Sequence, residues 1–228
     1  MAFHFVPALR CGIANTLRGL GIRCKHAALL SFALPLLLSS CATEGVRNSS
    51  HTFKTVIVDA GHGGYDRGTQ SSRLILEKDA ALDIALKVNQ RLKSAGLTTV
   101  LTRSGDYFVE LNDRAAISNR YRDAIFVSVH LNECRSKPGI HGVETYYYSP
   151  EAEELARRLL IKVGAVSGST PHFTKTANFR VLKRNQNPAV LVECGYLSNR
   201  AEAARFATAD YRQSIADAIA SGIIQQRR

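Results

Sequence analysis

Two histidines and two glutamates have the residue types and chain positions that suit hydrolytic metal chemistry. His62, Glu77 and His130 offer two imidazoles and one carboxylate, a ligand set that catalytic zinc uses while a fourth position stays open for water. His62 lies in the turn Gly61–Gly64, whose glycines allow a sharp bend and a close approach to a ligand. Glu193 is the candidate general base that passes a proton from water to a leaving amine. We therefore predict one zinc ion per chain.

Each of these residues also has an ordinary structural explanation. A single histidine at a strand end is commonly a hydrogen-bonded loop residue, and a glutamate at a helix start is favoured by the helix dipole. Glu193 ends an apolar strand, where a buried carboxylate needs a partner. The combination of all four around one glycine-rich turn favours the metal site. His51, His141 and His172 lie in polar segments and are interpreted as non-ligands.

Alternating strands and helices are predicted to position these side chains. The predicted strands are 54–60, 97–102, 124–130, 143–148 and 189–193, and the predicted helices are 77–95, 112–121 with Asn112 as N-cap, 150–166 and 211–224. This order predicts an α/β fold, a single domain with a mostly parallel sheet flanked by helices. Ligands of such sheets bind beyond the carboxyl ends of the strands, so all four candidate residues are expected at one edge.

The N-terminal region has the features of an export signal. Residues 1–40 contain four basic and no acidic residues, and the apolar run 27–38 is too short for a membrane span of roughly 20 residues. Leu38–Cys41 resembles the lipobox of bacterial lipoproteins, in which the cysteine is acylated; the alternative is an ordinary cleaved signal. We predict a signal peptide at 1–40, a lipidated Cys41 with a short tether to residue 52, and a catalytic domain at 53–228. Ala42 is not acidic, which favours an outer-membrane anchor over an inner-membrane one at the periplasmic or cell-envelope face.

Charge and cysteine content restrict the partners. Without residues 1–40 the chain has 26 basic and 19 acidic residues, a formal charge of +7. Basic runs with interleaved aromatic residues do not occur, so nucleic acid is not an expected partner, and an anionic wall polymer suits an exported protein better. Cys134 and Cys194 are too few for a disulfide scaffold, and the sequence leaves their pairing open.

Motifs along 54–224 resemble the zinc-dependent N-acetylmuramoyl-L-alanine amidases, the family of the bacterial division amidases and spore-cortex lytic amidases. The matching segments are VDAGHGGYDRG at 58–68, Glu77-Lys78, LTR at 101–103 with Asp106, Leu111, Arg114 and Asn119, SVHLN at 128–132, GVE at 142–144 and PAVLVECGYLSN at 188–199. The segments follow the family's order and spacing. Their combination is therefore far more specific than any single motif.

The resemblance implies a fold, a reaction and a set of site residues. The fold would be a phosphorylase/hydrolase-like zinc amidase domain with about six strands. His62, Glu77 and His130 would bind zinc, and Glu193 would be catalytic. The bond cleaved would join the lactyl group of N-acetylmuramic acid to the L-alanine of the stem peptide in peptidoglycan. Asn132 would bind substrate or orient the ligands.

Two further residues of the pattern and one departure from it bear on these expectations. Arg103 and Arg114 are interpreted as structural ion pairs that hold the loop between strand and helix. Only nine residues separate Asn132 from Gly142, too few for the inhibitory helix that many division amidases carry there. We therefore expect an accessible site with no obligatory activator.

Two other functions remain open. One is a related zinc peptidase acting on peptide bonds of the wall; Asp59 and Asp66 lie near enough in sequence to be considered for a second metal, although a single-metal site is simpler. The other is a catalytically inactive wall-binding lipoprotein. The stem-peptide preference, the choice between intact sacculi and soluble muropeptides, and the oligomeric state are not readable from the sequence.

Overall fold

A six-stranded sheet forms the centre of the fold in the computed structural model, with the strand order β2-β1-β3-β6-β4-β5. The strands are β1 Thr55–Ala60, β2 Thr98–Leu101, β3 Ala124–Asn132, β4 Glu144–Tyr147, β5 Phe173–Thr176 and β6 Ala189–Tyr196. Strands β1, β2, β3 and β6 run parallel, whereas β4 is antiparallel to β6 and parallel to β5. The prediction of an α/β domain with a mostly parallel, six-stranded sheet is confirmed.

Helices cover both faces of this sheet. They are α1 Glu77–Ser94, α2 Leu111–Asn119, α3 Glu153–Ser167 after a 3-10 turn at Pro150–Ala152, α4 Arg180–Lys183, α5 Arg200–Phe206 and α6 Ala209–Gln226. The larger apolar core lies between one sheet face and α1, α3 and α6, and a smaller core lies under α2 and α4. The described residues are 45–168 and 173–227, so the predicted signal peptide, the lipidation of Cys41 and His172 lie outside them.

The buried positions explain why the two elements nearest the site form. All six residues of β1 are buried, as expected for a central strand covered on both faces. Helix α1 buries Ala81, Ile84, Val88 and Leu92 along one side, the spacing of an amphipathic helix. Each large aliphatic side chain buried in this way stabilises the fold by about 1.5–3 kcal/mol.

The structure corrects several predicted details. Asn112 is not the N-cap of α2, because the helix begins at Leu111 and Glu110 is its N-cap. Strands β3 and β6 continue to Asn132 and Tyr196, beyond the predicted ends. Strand β5 and helices α4 and α5 were not predicted, because segments of four to seven residues show too little periodicity. Within residues 45–168 and 173–227, no helix is long and apolar enough to cross a membrane.

Candidate metal centre

The turn after β1 holds the first candidate ligand in an uncommon backbone conformation. His62 has a φ of +60°, the only positive value for a non-glycine residue in the described ranges. Such conformations cost about 1–3 kcal/mol and concentrate at functional sites. Glycines make room around it: a Cβ on Gly61 would lie 2.4 Å from the His130 ring, and one on Gly68 would lie 2.4 Å from Glu77 Oε2. The sequence of this turn therefore fits the close packing of three polar side chains.

His62, Glu77 and His130 converge on one point. One potential ligand atom from each residue lies within 4.8 Å of the other two. Glu77 Oε1 is 3.0 Å from His62 Nε2 and 3.1 Å from His130 Nδ1. The three residues come from the turn after β1, the start of α1 and the end of β3. The structure thus brings together the three residues that the sequence indicated as metal ligands.

Hydrogen bonds fix the orientation of two of these side chains. His62 Nδ1 lies 2.9 Å from Asp66 Oδ2, so a proton on Nδ1 leaves the Nε2 lone pair directed at the cluster. Glu77 Oε2 accepts a hydrogen bond of 2.7 Å from the backbone N–H of Thr69. Glu77 Oε1 accepts one of 3.0 Å from the N–H of Leu131. The cluster is thereby held by polar partners beyond the three candidate ligands.

The electrostatics of the cluster favour an ionised glutamate. Burial alone would raise the pKa of Glu77, but hydrogen bonds and charge interactions with His130 and His62 outweigh it and place this pKa well below its ordinary value. Burial likewise opposes protonation of His62, whereas Glu77 and Asp66 raise the pKa of His62 above its ordinary value. A carboxylate and two imidazoles in this arrangement are the donors that zinc prefers in hydrolases. The side chains present therefore fit a zinc ion.

Glu193 lies beside the cluster with one oxygen unpaired. Its Cα pairs in register with His130 of β3 on one side and with Glu144 of β4 on the other. Glu193 Oε2 is buried and has no hydrogen-bond partner within the described part of the chain. Burial raises the pKa of Glu193 well above its ordinary value, and the charges of Glu77 and Glu144 raise it further. A carboxylate with its proton affinity raised in this way is suited to accept a proton from water.

Asn132 belongs to a polar network that sequence reasoning did not foresee. Its Nδ2 donates a 3.0 Å hydrogen bond to Glu144 Oε2. The hydroxyls of Tyr146 and Tyr196 donate to the same carboxylate at 2.6 and 2.5 Å. These bonds fix the side-chain amide of Asn132 at the cavity wall. The GVE motif was the available signal for Glu144, but it gave no indication of this contact.

The two arginines of the motif hold the backbone of the His62 turn. Arg114 forms a buried ion pair with Asp59 at 2.8 Å and also donates to the carbonyls of Ala60 and His62. Arg103 donates to the carbonyls of Ala60 and Gly61. The ion-pair prediction therefore agrees with the structure at Arg114. At Arg103 it is wrong, since this guanidinium makes no ion pair with the described carboxylates and contacts backbone carbonyls instead.

Neither aspartate near the cluster is available to bridge a second metal. Asp59 Oδ1 accepts from Arg114 and Thr102, and its Oδ2 accepts from Ser128. Asp66 is engaged by His62 through Oδ2 and by the backbone of Gly68 through Oδ1. The geometry is therefore that of a single-metal site.

An open cavity of about 420 Å³ lies above the cluster. The four candidate residues and Asn132 line it, together with Asp59, Asp66, Leu111, Arg114, Leu131, Glu133, Phe179, Arg180, Val181 and Leu191. A cavity of this volume accommodates a small ligand or a short peptide. His51 and His141 do not line it, and Cys134 and Cys194 are both free thiols.

The fold and site together are typical of metal-dependent hydrolases: a mostly parallel sheet, a His–Glu–His cluster at one sheet edge, and a half-buried glutamate beside it in an open cavity. The family can be stated more closely. Residues 56–225 match the family model described as N-acetylmuramoyl-L-alanine amidase, and the chain belongs to that family.

Individual relatives agree with this assignment. The chain is 34% identical over 203 residues to the uncharacterized protein YqiI of Bacillus subtilis, covering 87% of this chain and 95% of that protein. It is 34% identical over 179 residues to the N-acetylmuramoyl-L-alanine amidase LytC of B. subtilis, covering 77% of this chain but only 36% of LytC. Among solved structures, the amidase AmiC2 of Nostoc punctiforme superposes with a TM-score of 0.72 at 37% identity, covering 75% of this chain and 95% of that one.

Proposed function

We propose that this chain is a zinc-dependent N-acetylmuramoyl-L-alanine amidase of the cell wall. Its substrate is the amide between the lactyl group of N-acetylmuramic acid and the L-alanine of the stem peptide. The observation that carries the proposal is the convergence of His62, Glu77 and His130 beside the unpaired, buried oxygen of Glu193. Membership of the amidase family supports the choice of bond.

Each residue of the site has a defined part in the reaction. His62, Glu77 and His130 would hold one zinc ion, and Asp66 keeps the His62 ring in the tautomer that leaves Nε2 free. When bound there, zinc would supply an acidified water and would polarise the substrate carbonyl. The Glu193 carboxylate accepts one proton from the attacking water as the new C–O bond forms. The same carboxyl then gives this proton to the nitrogen of L-alanine as the C–N bond breaks.

The site's surroundings support a substrate-facing role for Asn132. Because its amide is fixed by Glu144, it can offer a positioned polar group to the sugar–peptide junction at no further conformational cost. We place it as a substrate-binding residue.

The proposal also covers the localisation of the enzyme and its independence from an activator. The lipobox-like Leu38–Cys41 supports a lipid anchor at the periplasmic or envelope face, with the non-acidic Ala42 favouring the outer membrane. The formal charge of +7 outside residues 1–40 suits an anionic wall. The short segment between Asn132 and Gly142 contains no helix, and the cavity is open. These features support an enzyme that acts without an obligatory activator.

The test is mass spectrometry of purified peptidoglycan treated with the purified protein alone. We expect free stem peptides that begin with L-alanine and a peptide-free glycan, lost on chelation and regained with zinc. Glu193→Gln should lower kcat by at least about 100-fold while zinc binding is kept. Glu110→Gln is the matched control, because this exposed glutamate lies at the start of α2 outside the cavity.

Other products would contradict specific parts of the proposal. Peptides cut internally, with L-alanine still on the sugar, would identify a peptidase. Wall binding without any product would identify an inactive binding protein, and products that appear only with an added partner would refute independence from an activator. Full activity of Glu193→Gln would refute the general-base assignment.

A further inference from the structure

A cationic side chain faces the cavity without a polar partner. Arg114 and Arg180 are the two cations among the described residues that line the cavity. Arg114 is 2% exposed and is engaged by Asp59 and by backbone carbonyls. Arg180 is exposed, and its guanidinium forms neither a hydrogen bond nor an ion pair within residues 45–168 and 173–227. Its charge is therefore available to a ligand.

The backbone that carries Arg180 is firmly anchored. Arg180 is the first residue of α4, and the next two residues, Val181 and Leu182, are buried in the smaller core. Asn119 of α2 donates a 2.9 Å hydrogen bond to the Arg184 carbonyl at the other end of this turn. The position of Arg180 above the cavity is thus set by the fold, and only its side chain is free to adapt.

Two exposed apolar side chains also line the cavity. Leu111 is 47% exposed and Phe179 is 42% exposed, although both are large apolar residues. The Phe179 ring is held by the Tyr146 ring at a centroid distance of 5.1 Å. A cavity lining with one exposed cation and two exposed apolar side chains suits a ligand that combines a negative charge with aliphatic carbon.

Acidic side chains elsewhere in the cavity would repel an anionic ligand, so the position of Arg180 matters for such a ligand. Asp66, Glu133 and Glu193 also line the cavity, and each repels a bound carboxylate when ionised. Apart from the proposed zinc ion and the buried Arg114, Arg180 is the cation of the described lining that can hold an anionic group. The described lining therefore combines several acids with one exposed cation, Arg180 on α4.

We propose that Arg180 binds the free α-carboxylate of the second residue of the stem peptide. This inference rests on the proposed function, which places the amide before L-alanine at the metal ligands. In peptidoglycan the second residue is a D-glutamate linked through its side chain, so its α-carboxyl is free or amidated. That carboxyl lies about 6 Å from the scissile nitrogen, since one residue spans at most roughly 3.6 Å and the carboxyl adds two bonds. In this proposal Leu111 and Phe179 contact the aliphatic carbons of the stem peptide.

The consequence is a preference between two natural wall chemistries. A free carboxylate can form a charge-assisted, two-point contact with a guanidinium, whereas a carboxamide cannot match its charge. An exposed ion pair of this kind contributes up to about fivefold, which corresponds to about 1 kcal/mol. The enzyme should therefore prefer stems in which this carboxyl is free, and the preference should shrink at high salt because the site is open to solvent.

The experiment compares two muramyl tripeptides that differ only in whether the α-carboxyl of the second residue is free or amidated. Wild-type protein should hydrolyse the free-acid form with about fivefold higher kcat/KM. Arg180→Gln should bring the ratio to about one by slowing the acid form alone. Arg184→Gln removes an exposed charge from the end of α4 outside the cavity, and it should keep the wild-type ratio.

The outcomes separate the subsite from the proposed function. An Arg180→Gln variant that keeps the wild-type ratio, or a wild-type protein without a preference, overturns the subsite. If neither compound is hydrolysed, the amidase proposal fails for these substrates, and titration of the zinc-loaded protein with both compounds decides the subsite. Tighter binding of the acid form that is lost in Arg180→Gln supports it, and equal binding of the two forms overturns it.

Discussion

Adding a single methyl group at Gly68 should weaken zinc binding while the domain still folds. Gly68 has a φ of +67°, and a Cβ there would lie 2.4 Å from Glu77 Oε2 and 2.8 Å from His62 Cδ2. To restore an ordinary contact, the Glu77 carboxylate must move by about 1 Å. Metal–ligand distances tolerate only about 0.2 Å. In Gly68→Ala, Glu77 can therefore no longer bind zinc in its native position.

The size of the effect follows from two separate costs. A non-glycine residue in the left-handed region costs about 1–2 kcal/mol of folding stability. The displaced Glu77 also loses the 2.7 Å hydrogen bond from the Thr69 N–H, which adds about 1.5–3 kcal/mol because its acceptor is charged. Losing one of three ligands should weaken zinc binding by at least about 100-fold, or about 2.8 kcal/mol.

Gly96 provides a matched control in the same chain. Its φ is +77°, and a Cβ at this position would meet no atom within 4 Å. Gly96→Ala carries the same backbone strain without touching the site. Competition titration against a chelator measures the zinc affinity, and urea unfolding of the zinc-free proteins measures stability. Equal zinc affinity in Gly68→Ala and Gly96→Ala would refute the argument that the glycine makes room for the ligand.

Two further predictions concern the buried Asp59–Arg114 pair. Arg114→Met should lower the free energy of unfolding by about 3–5 kcal/mol, because it leaves an uncompensated buried carboxylate; urea unfolding measures this, and Asp59→Asn in the same chain should restore part of the loss unless buried charge is not the cause. Burial alone would raise the pKa of Asp59, but Arg114, Ser128 and Thr102 hold it below its ordinary value of 3.8. The stability from this depressed pKa is present above that value and is lost as the pH falls through the folded-state pKa. Urea unfolding of the zinc-free protein between pH 7 and 3 should show a loss below about pH 4, and the loss should be smaller in Asp59→Asn; an identical acid profile would contradict the assignment.

Much of the fold was predictable because its long elements have strong local patterns. The buried β1 and the amphipathic α1 follow from apolar periodicity alone, and both lie where the sequence indicated. Strand β5 and helix α4 depend instead on tertiary contacts: Val181 and Leu182 are buried against the sheet, but four residues cannot show a helical period. The elements that escaped prediction include the one that carries Arg180.

The candidate site likewise contains some features that the sequence predicted and others that it did not. His62, Glu77 and His130 could be placed at one edge because the carboxyl ends of parallel strands share that edge. The network of Glu144 with Asn132 could not be foreseen, since it depends on the antiparallel placement of β4 next to β6. Predicting that Arg103 contacts carbonyls and none of the described carboxylates would likewise have required the path of the His62 turn.

The two arginines connect the stability of the domain to the geometry of its site. Arg103 and Arg114 both donate to the Ala60 carbonyl, and between them they also hold the carbonyls of Gly61 and His62. These are the residues over which the chain leaves β1 and enters the strained turn. Strain of about 1–3 kcal/mol at His62 persists only if the surroundings over-determine the conformation, and two buried guanidinium groups supply that constraint. The buried guanidinium groups of Arg103 and Arg114 therefore hold the His62 turn in its conformation before any ligand binds. An arginine suits this position because one guanidinium can donate to several backbone carbonyls at once.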